Sequence, residues 1–195
     1  MSRMSPNRTG WPNAAGEQVA LDEDAVFAAE WTLRGDGVYE RESARVVIVD
    51  GDRRVLLMRA SEDGDESTFW FTVGGGIANG EDERAAAVRE AREETGLRLV
   101  RDDLIGPIAR RVPIFPFLGR TCRQDERIYL AVVPAGVVVN TDGWTDVEVV
   151  AMDTVEWWPL DELRRTNATI YPPDLGDRVA TVLDHGWDGT TPMCE

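Results

Sequence analysis

Alternating apolar and polar residues predict a series of short strands in the first half of the chain. Residues 45–50 (RVVIVD) and 55–59 (VLLMR) flank the turn signal DGD at 50–52, which predicts a β-hairpin. The acidic run at 61–67 is predicted to be a loop. Residues 69–73 (FWFTV) are predicted to form a strand that runs into three glycines.

Helical spacing is weak before this region and clearer after it. Residues 1–15 are polar and turn-rich, which predicts a mobile leader, and a short helix is predicted within 17–31. The later predicted elements are a helix at 82–95, strands at 108–117 and 127–133 around a loop at 118–126, an extended segment at 147–157, and helices at 159–164 and 174–184. We therefore predict a partly mobile extension over 1–39, one α/β domain over 40–185 and a tail over 186–195.

The composition is that of a globular protein. Of the 195 residues, 43% are hydrophobic and 29% are charged, which allows one substantial core. No apolar run approaches about 18–20 residues, and the beginning of the chain lacks the hydrophobic region of a signal peptide. The two cysteines, Cys122 and Cys194, do not indicate a disulfide framework, so a cytoplasmic protein without membrane contact is expected.

The formal net charge of −15 bears on the partners of the protein. Long nucleic acids are held by basic stripes, so extended RNA or DNA is not expected as a substrate. A small polyphosphate that carries its own Mg²⁺ is compatible with the same charge. We therefore expect a small-molecule substrate, and a homodimer stays open.

The segment GGIANGEDERAAAVREAREETGL carries the pattern with the most chemical content. On a helix, Glu90, Glu93 and Glu94 share one flank, while Ala87 and Ala91 lie along another and can face a core. Like charges four residues apart cost about 0.2–0.5 kcal/mol per pair. A divalent cation with hard oxygen ligands, Mg²⁺ or Mn²⁺, removes this repulsion. A solvated charged face is the alternative interpretation of the helix alone.

Glycines frame this helix: three precede it at 74–76, Gly80 breaks the loop, and Gly96 lies where a left-handed C-cap belongs. The segment resembles the Nudix box, G-x5-E-x7-R-E-U-x-E-E-x-G-U, in which U is a bulky aliphatic residue. Every fixed position is matched, by Gly75, Glu81, Arg89, Glu90, Glu93, Glu94, Gly96 and Leu97. Ala91 departs from the pattern, because it is smaller than the usual residue at the first U. The chain is identified as a member of the Nudix family, which implies the Nudix fold, a mixed β-sheet sandwiched between helices, over about 40–185.

The resemblance implies a hydrolase that uses Mg²⁺ or Mn²⁺ and water to cleave the pyrophosphate linkage of a nucleoside diphosphate derivative. The metal ligands that it implies are the backbone carbonyl of Gly75 and the carboxylates of Glu90, Glu93 and Glu94. Glu81 is expected to orient or share outer metal-bound waters. Arg89 is expected to fix Glu93 by an ion pair across one helical turn.

The general base is not fixed by the resemblance, because some family members use a glutamate of the box and others use one on a later loop. Glu90 is the first choice within the box. Glu126 and Glu148 are candidates for a distal ligand or base, and a plain surface acid is the alternative for each. The predicted catalytic residues are Glu90, Glu93, Arg89, Glu126 and Glu148.

Aromatic and basic residues flank the predicted site. The aromatic residues are Trp70, Phe71, Phe115, Phe117, Tyr129 and Trp144. Most of them are expected in the core, and Trp144, in a polar loop, is the candidate for stacking on the nucleoside. The candidates for phosphate contact are Arg110, Arg111, Arg120, Arg123 and Arg127. The single histidine, His185, excludes a catalytic histidine pair.

Three alternatives stand beside a hydrolase of small nucleotides. A domain that only senses a nucleotide is less favoured because this chain keeps every glutamate of the box, and isopentenyl diphosphate isomerase is disfavoured because its metal site uses histidines. Pyrophosphate removal from RNA 5′ ends is disfavoured by the charge. The sequence does not choose among dinucleotides such as NADH, ADP-ribose, nucleotide sugars, diadenosine polyphosphates and damaged nucleoside triphosphates.

Overall fold

The structure is a computed structural model that describes residues 11–13, 15–61 and 68–195. Two predictions concern residues that lie largely outside these ranges. Most of the predicted leader at 1–15 lies outside the described residues, and so does the predicted loop at 61–67 apart from Ser61.

The described elements follow one another along the chain as short strands and helices. They are β1 (Trp11–Pro12), β2 (Gln18–Val19), α1 (Glu23–Glu30), β3 (Thr32–Leu33), β4 (Tyr39–Asp50), β5 (Arg54–Ser61), β6 (Thr68–Phe71), β7 (Val73–Gly76), α2 (Glu83–Thr95), a 3₁₀ turn (Arg101–Asp103), β8 (Ile105–Arg111), β9 (Ile114–Phe117), β10 (Arg120–Val133), α3 (Asp146–Ala151), β11 (Thr154–Pro159), α4 (Leu160–Leu163), β12 (Thr169–Tyr171) and α5 (Leu175–His185).

Strands β4 and β10 form the centre of a mixed sheet. They pair in parallel over their full shared length, from Tyr39 beside Cys122 to Asp50 beside Val133. The sheet runs in the order β12-β6-β5-β4-β10-β8, with β3 and β7 also on β4, β11 on β5 and β9 on β10. The predicted α/β class with a mixed sheet between helices is confirmed.

Helix α2 packs on one face of this sheet. Its small residues Ala86, Ala87 and Ala91 are fully buried in a cluster that includes Val46 and Ile48 of β4. The predicted burial of Ala87 and Ala91 is therefore confirmed. Because alanine is small, the backbone of α2 comes close to the sheet, which places the acidic residues of the helix beside the loop that follows β7.

Helices α4 and α5 cover the opposite face. Leu163 and Leu175 pack there with Val47 and Val49 of β4, and the exposed fraction of Leu175 is 0%. Burial of a leucine or valine side chain is worth about 1.5–3 kcal/mol, so this layer stabilises the sheet that carries the site. The predicted helix at 174–184 is confirmed as α5. Within the described residues no helix is long and apolar enough to cross a membrane.

The segments that flank the predicted domain also contact the sheet. Helix α1 brings Phe27 and Trp31 into a buried cluster with Leu118 and Cys122. Near the other end of the chain, the N–H of Cys194 donates to the carbonyl of Arg110 at 2.9 Å. The domain limits at 40 and 185 stay a prediction.

The predicted loop at 118–126 is wrong, because β10 begins at Arg120. Leu118 and Gly119, with φ of 45° and 73°, make the whole turn between β9 and β10. Cys122, Gln124 and Glu126 alternate with more exposed neighbours and are buried, and Arg41 and Arg45 of β4 donate hydrogen bonds to Gln124 and Glu126. The predicted single strand at 108–117 is also divided, into β8 and β9, on either side of Val112 and Pro113.

The predicted extended segment at 147–157 is wrong in its first half. Helix α3 occupies Asp146–Ala151 because Thr145 and Glu148 form a capping box, which satisfies two backbone N–H groups at once. The second half of the segment forms β11 as predicted. The predicted helices at 17–31 and 159–164 are present in shorter form, as α1 and α4.

Candidate active site

Helix α2, which follows the loop after β7, has a capping residue at each end. The side chain of Asp82 accepts hydrogen bonds from the N–H groups of Arg84 and Ala85, both at 3.1 Å. At the other end Gly96 has a φ of 72°, which confirms the predicted left-handed C-cap. These local contacts fix where α2 starts and ends, and hence where its carboxylates lie.

Two glycines bring the backbone against the carboxylates of α2. The N–H of Gly74 donates to Glu94 Oε2 at 2.7 Å. A Cβ atom at Gly74 would lie 2.3 Å from the carbonyl oxygen of Ala44, and a Cβ atom at Gly75 would lie 2.7 Å from Glu90 Oε1. Gly74, with a φ of 131°, therefore requires glycine, whereas a side chain at Gly75 would displace the carboxylate of Glu90.

Three carboxylates come together beside this loop, and we call them the acidic triad. Glu90 and Glu94 of α2 and Glu148 of α3 each offer an oxygen, and these oxygens lie within 4.8 Å of one another. Glu90 is 7% exposed and Glu94 is 1% exposed. A set of hard oxygen donors at this spacing fits a divalent cation such as Mg²⁺.

The two buried members of the acidic triad are electrostatically unfavourable without a cation. Burial raises the pKa of Glu90 to about 7, and the nearby Arg89 offsets part of the increase. Burial also raises the pKa of Glu94 well above its usual range, and the negative charge of Glu90 raises it further. A bound cation would stabilise the ionised form of both groups, so it fits the electrostatics as well as the geometry.

Arg89 links the parts of the box more widely than predicted. The predicted contact with Glu93 is present, with 3.0 Å between NH1 and Oε2. The same nitrogen donates to Glu90 Oε1 at 2.7 Å, while Nε and NH2 bind the carboxylate of Glu81 at 2.9 and 2.8 Å. NH2 also donates to the carbonyl of Gly76 at 2.9 Å. Arg89 therefore fixes both the loop and the helix around the acidic triad.

The other predicted carboxylates lie outside the acidic triad. The side chain of Glu93 is 48% exposed and is held by Arg89. Glu126 is buried, and its Oε1 accepts from Arg45 Nε at 2.8 Å and from Gln124 Nε2 at 2.7 Å. Of the two distal candidates, the structure brings only Glu148 to the acidic triad and gives Glu126 an arginine partner.

Arg45 was not predicted to contribute to the site. Besides Glu126 it binds the carbonyls of Thr72 and Gly74, at 2.8 and 3.0 Å, and so joins the glycine loop to the central sheet. One signal in the sequence could have identified it. Side chains alternate along a strand, so Arg45 lies on the same face as Val47 and Val49, which are in the core.

Trp144 has a structural contact. Its Nε1 donates to the carbonyl oxygen of Glu94 at 2.9 Å, which satisfies an end group of α2 and ties the loop before α3 to that helix. Because the acidic triad takes members from both α2 and α3, this contact helps to hold the triad together. The predicted stacking of Trp144 on a nucleoside stays a prediction.

The five arginines proposed for phosphate contact all face acidic groups. Their partners are Asp125 for Arg110 and Arg127, Glu126 for Arg111, Glu40 and Asp36 for Arg123, and Asp24 for Arg120. The structure therefore does not gather them at one unpaired anion site, and their contact with phosphate stays a prediction. Of the aromatic residues, Trp70 and Tyr129 are in the core, while Phe115 and Phe117 pack against the cluster formed with α1.

Comparison with known protein families identifies one domain. A sequence model described as the NUDIX domain matches residues 39–177, which is most of the chain. A named relative, the dihydroneopterin triphosphate diphosphatase of Escherichia coli (strain K12), is 28% identical over 111 residues. These residues cover 56% of this chain and 67% of the relative.

Solved structures share the fold. The Ap4A hydrolase of C. elegans superposes with a TM-score of 0.52 at 20% identity, covering 74% of this chain and 98% of that chain. The MutT protein from Methanosarcina mazei Go1 gives a TM-score of 0.50 at 18% identity, covering 74% and 94% of the two chains. These two likenesses support the same α/β architecture.

Proposed function

The chain belongs to the Nudix family, whose members are divalent-metal-dependent hydrolases of phosphoanhydride bonds, and we propose that it cleaves the pyrophosphate linkage of a small nucleotide derivative at the acidic triad. We further propose Mg²⁺ as the working cation, with Mn²⁺ as a substitute. The observation that carries the proposal is the convergence of Glu90, Glu94 and Glu148 beside the glycine loop.

The proposed roles follow from the contacts of each side chain. Glu90, Glu94 and Glu148 would hold the cation, together with Glu93 and the carbonyl of Gly75. When bound, the cation neutralises the diphosphate and lowers the pKa of a coordinated water. Glu90 is the proposed general base, because burial raises its pKa to about 7, which suits a group that accepts a proton near neutral pH, and Arg89 holds its carboxylate in place. Arg89 and Glu81 are positioning residues, since they hold Glu90 and the loop in place.

A small substrate is favoured over long RNA. The net charge is −15, and the arginines of β8 and β10 are paired with acids, so the described surface offers no basic stripe for a phosphate backbone. The relative that is 28% identical is named as a diphosphatase of dihydroneopterin triphosphate, a small phosphoanhydride. Removal of pyrophosphate from RNA 5′ ends is the second candidate. A cytoplasmic location and a homodimer stay predictions.

A sensor that binds a nucleotide without cleaving it is not favoured. Such a domain would not need a complete acidic site, whereas this chain has all fixed positions of the box and adds Glu148 from a separate helix. The complete set of acidic residues therefore favours hydrolysis over binding alone.

A panel of nucleotides tests the proposal. We expect hydrolysis of one or more small nucleoside diphosphate derivatives with Mg²⁺ or Mn²⁺, and a loss of activity in EDTA. Glu94→Gln preserves shape but removes one charge, so turnover should decrease by about 100-fold or more. The matched control is Glu162→Gln on the exposed surface of α4, which should retain wild-type activity. Thermal melts would establish that both variants fold.

Two outcomes would contradict the proposal. A wild-type protein that cleaves none of the panel with either cation would not be a hydrolase of this class. An unchanged rate for Glu94→Gln at saturating Mg²⁺ would show that Glu94 contributes nothing to the reaction, and would remove the acidic triad as its centre.

A further inference from the structure

A buried ion pair joins the two central strands beside the glycine loop. Arg45 of β4 donates from Nε to Oε1 of Glu126 in β10 at 2.8 Å, and the two side chains are 13% and 3% exposed. By strand alternation they lie on the sheet face of Val47 and Ile128, which pack under α4 and α5. Neither residue belongs to the acidic triad, so the role of the pair depends on what else it contacts.

The guanidinium of Arg45 connects Glu126 to the glycine loop. Its NH1 donates to the carbonyl of Thr72 at 2.8 Å and to that of Gly74 at 3.0 Å. The N–H of the same Gly74 donates to Glu94 Oε2 at 2.7 Å. One backbone residue therefore lies between Arg45 and a member of the acidic triad, and three hydrogen bonds lead from Glu126 to Glu94.

Glu126 is held by further contacts on the sheet. Gln124 accepts at Oε1 from Arg41 Nε at 2.7 Å, which turns its amide nitrogen towards Glu126. That nitrogen donates to Glu126 Oε1 at 2.7 Å, and Arg111 NH1 lies 3.6 Å from Glu126 Oε2. Both carboxylate oxygens thus have partners on the sheet, so Glu126 serves as a fixed partner for arginine and is not free to act as a metal ligand or base.

We infer that Glu126 and Arg45 are positioning residues of the metal site. Glu126 orients the guanidinium of Arg45, and Arg45 fixes the carbonyls of Thr72 and Gly74. The Gly74 N–H can then hold Glu94 in place at the acidic triad. The inference rests on the proposed function of the triad. Residues that orient a metal ligand without touching the metal typically change metal affinity 10- to 100-fold when they are replaced.

The charge of Glu126 has a second consequence for the acidic triad. Burial lowers the pKa of Arg45, but the charge of Glu126, followed by those of Glu94 and Glu90, raises it above its usual range. Arg45 is therefore attracted by the triad as well as by Glu126. Without the charge of Glu126, an uncompensated guanidinium would lie beside the triad and repel a divalent cation. Loss of this charge should weaken cation binding although no ligand is removed.

Titration with Mn²⁺ tests the inference on Glu126→Gln. Glutamine can still accept a hydrogen bond from Arg45, but it carries no charge, and we expect a Kd for Mn²⁺ about tenfold weaker than that of wild type. The matched control is Asp125→Asn. Asp125 is the preceding residue of β10, on the other face of the sheet, and it pairs with Arg110 and Arg127. This control should bind Mn²⁺ as wild type does.

A double-mutant cycle shows whether Glu126 acts through Arg45. Arg45→Met should also weaken Mn²⁺ binding, and the addition of Glu126→Gln to it should cause no further loss. A further tenfold loss in the double variant would overturn the inference, because Glu126 would then act on the cation independently.

Arg45→Lys replaces Arg45→Met in the cycle if the buried, unpaired Glu126 prevents folding. Lysine keeps the charge but lacks the planar fork that reaches Glu126 and two carbonyls at once, so it should also weaken Mn²⁺ binding. Wild-type affinity in Arg45→Lys would overturn the inference. Thermal melts in EDTA establish which variants fold.

The metal dependence of turnover separates positioning from catalysis. With the best substrate of the nucleotide panel, Glu126→Gln should need about tenfold more Mn²⁺ for half-maximal activity, while kcat at saturating Mn²⁺ stays close to that of wild type. A large loss of kcat that persists at saturating Mn²⁺ would overturn the inference, because Glu126 would then take part in the chemical step.

The inference and the proposed function can fail separately. If the wild-type protein cleaves no nucleotide, the proposed function fails, while Mn²⁺ titration still measures the effect of Glu126 and Arg45 on the acidic triad. If the enzyme is active but Glu126→Gln binds Mn²⁺ as Asp125→Asn does, the ion pair serves only the stability of the sheet. The inference is then wrong, and the proposed function is unaffected.

Discussion

Replacement of Glu90 by glutamine should stabilise the metal-free protein at neutral and basic pH while it abolishes activity. The folded chain buries this carboxylate to 7% exposure, and burial raises its pKa from 4.5 to about 7. Glutamine has nearly the same shape and carries no charge. The substitution therefore removes the ionisation of the buried group and leaves the packing of α2 against the glycine loop intact.

The direction of the pH dependence follows from the raised pKa. Below pH 4.5 the carboxyl group is neutral in folded and unfolded chains, so glutamate and glutamine should give similar free energies of unfolding. As the pH rises from 4.5 to about 7, the unfolded chain ionises first, and wild-type stability decreases. This change in pKa corresponds to about 3 kcal/mol in favour of Glu90→Gln at pH 8.

Chemical denaturation in EDTA at several pH values between 4.5 and 8, followed by tryptophan fluorescence, would measure the difference. Glu93→Gln is the matched control on the same helix. Because the Glu93 side chain is 48% exposed, its replacement should produce no comparable gain at pH 8. Addition of Mg²⁺ should narrow the gap between wild type and Glu90→Gln, because the cation binds the folded wild-type site and stabilises it.

A lower free energy of unfolding for Glu90→Gln at pH 8 in EDTA would refute this reasoning. It would mean that the 2.7 Å contact between Glu90 and Arg89 stabilises the fold more than burial of the charge destabilises it. The acidic flank of α2 would then be a network of structural ion pairs, and the physical argument for a cation at this site would be lost.

Three further substitutions or comparisons test other parts of the site. Glu148→Gln keeps the capping box of α3 but removes one charge of the acidic triad, so Mn²⁺ titration should give about tenfold weaker binding; an unchanged affinity would exclude Glu148 as a ligand. Trp144→Phe removes the hydrogen bond to the Glu94 carbonyl and should lower the free energy of unfolding by about 1 kcal/mol in a denaturant titration, whereas an equal stability would make that bond irrelevant. A 5′-triphosphorylated RNA oligomer should have a much lower kcat/KM than a free nucleotide; a preference for RNA that decreases steeply with salt would indicate a basic groove instead.

The elements that were predicted correctly carry their signals locally. The glycine loop and helix α2 were predictable because glycines, the Asp82 cap and the Gly96 cap determine their ends within the segment itself. The hairpin of β4 and β5 was predictable because two apolar runs flank a turn sequence. In both cases the residues that decide the structure are neighbours in sequence.

Strand β10 was not predictable in the same way, because its polar half is stabilised by distant residues. Gln124 and Glu126 are buried, and their partners Arg41 and Arg45 lie in β4, more than 80 residues earlier. In sequence these residues look like a solvated loop. Their hydrogen bonds form only after β4 and β10 pair, so local strand propensity does not predict that these residues are buried.

The choice between Glu126 and Glu148 also depended on contacts between residues that are distant in sequence. The sequence left Glu126 and Glu148 as equal candidates, since both are acidic residues beyond the box. Folding separates them: Glu126 faces Arg45, and Glu148 is carried by a short capped helix to the oxygens of Glu90 and Glu94. Distance in space, which depends on the loop that Trp144 anchors, distinguishes the two residues.

The charge distribution indicates how an acidic protein can bind a polyanionic substrate. Arginines that could attract phosphate on β8 and β10 are already paired with aspartates and glutamates, so little positive potential remains on that surface. A cation at the acidic triad would create a strong positive centre at one point only. Substrate affinity should therefore depend on the cation first and on nearby arginines second. Because the cation would contribute most of the affinity, a short phosphate chain should bind better than a long one, which would extend onto the surrounding acidic surface.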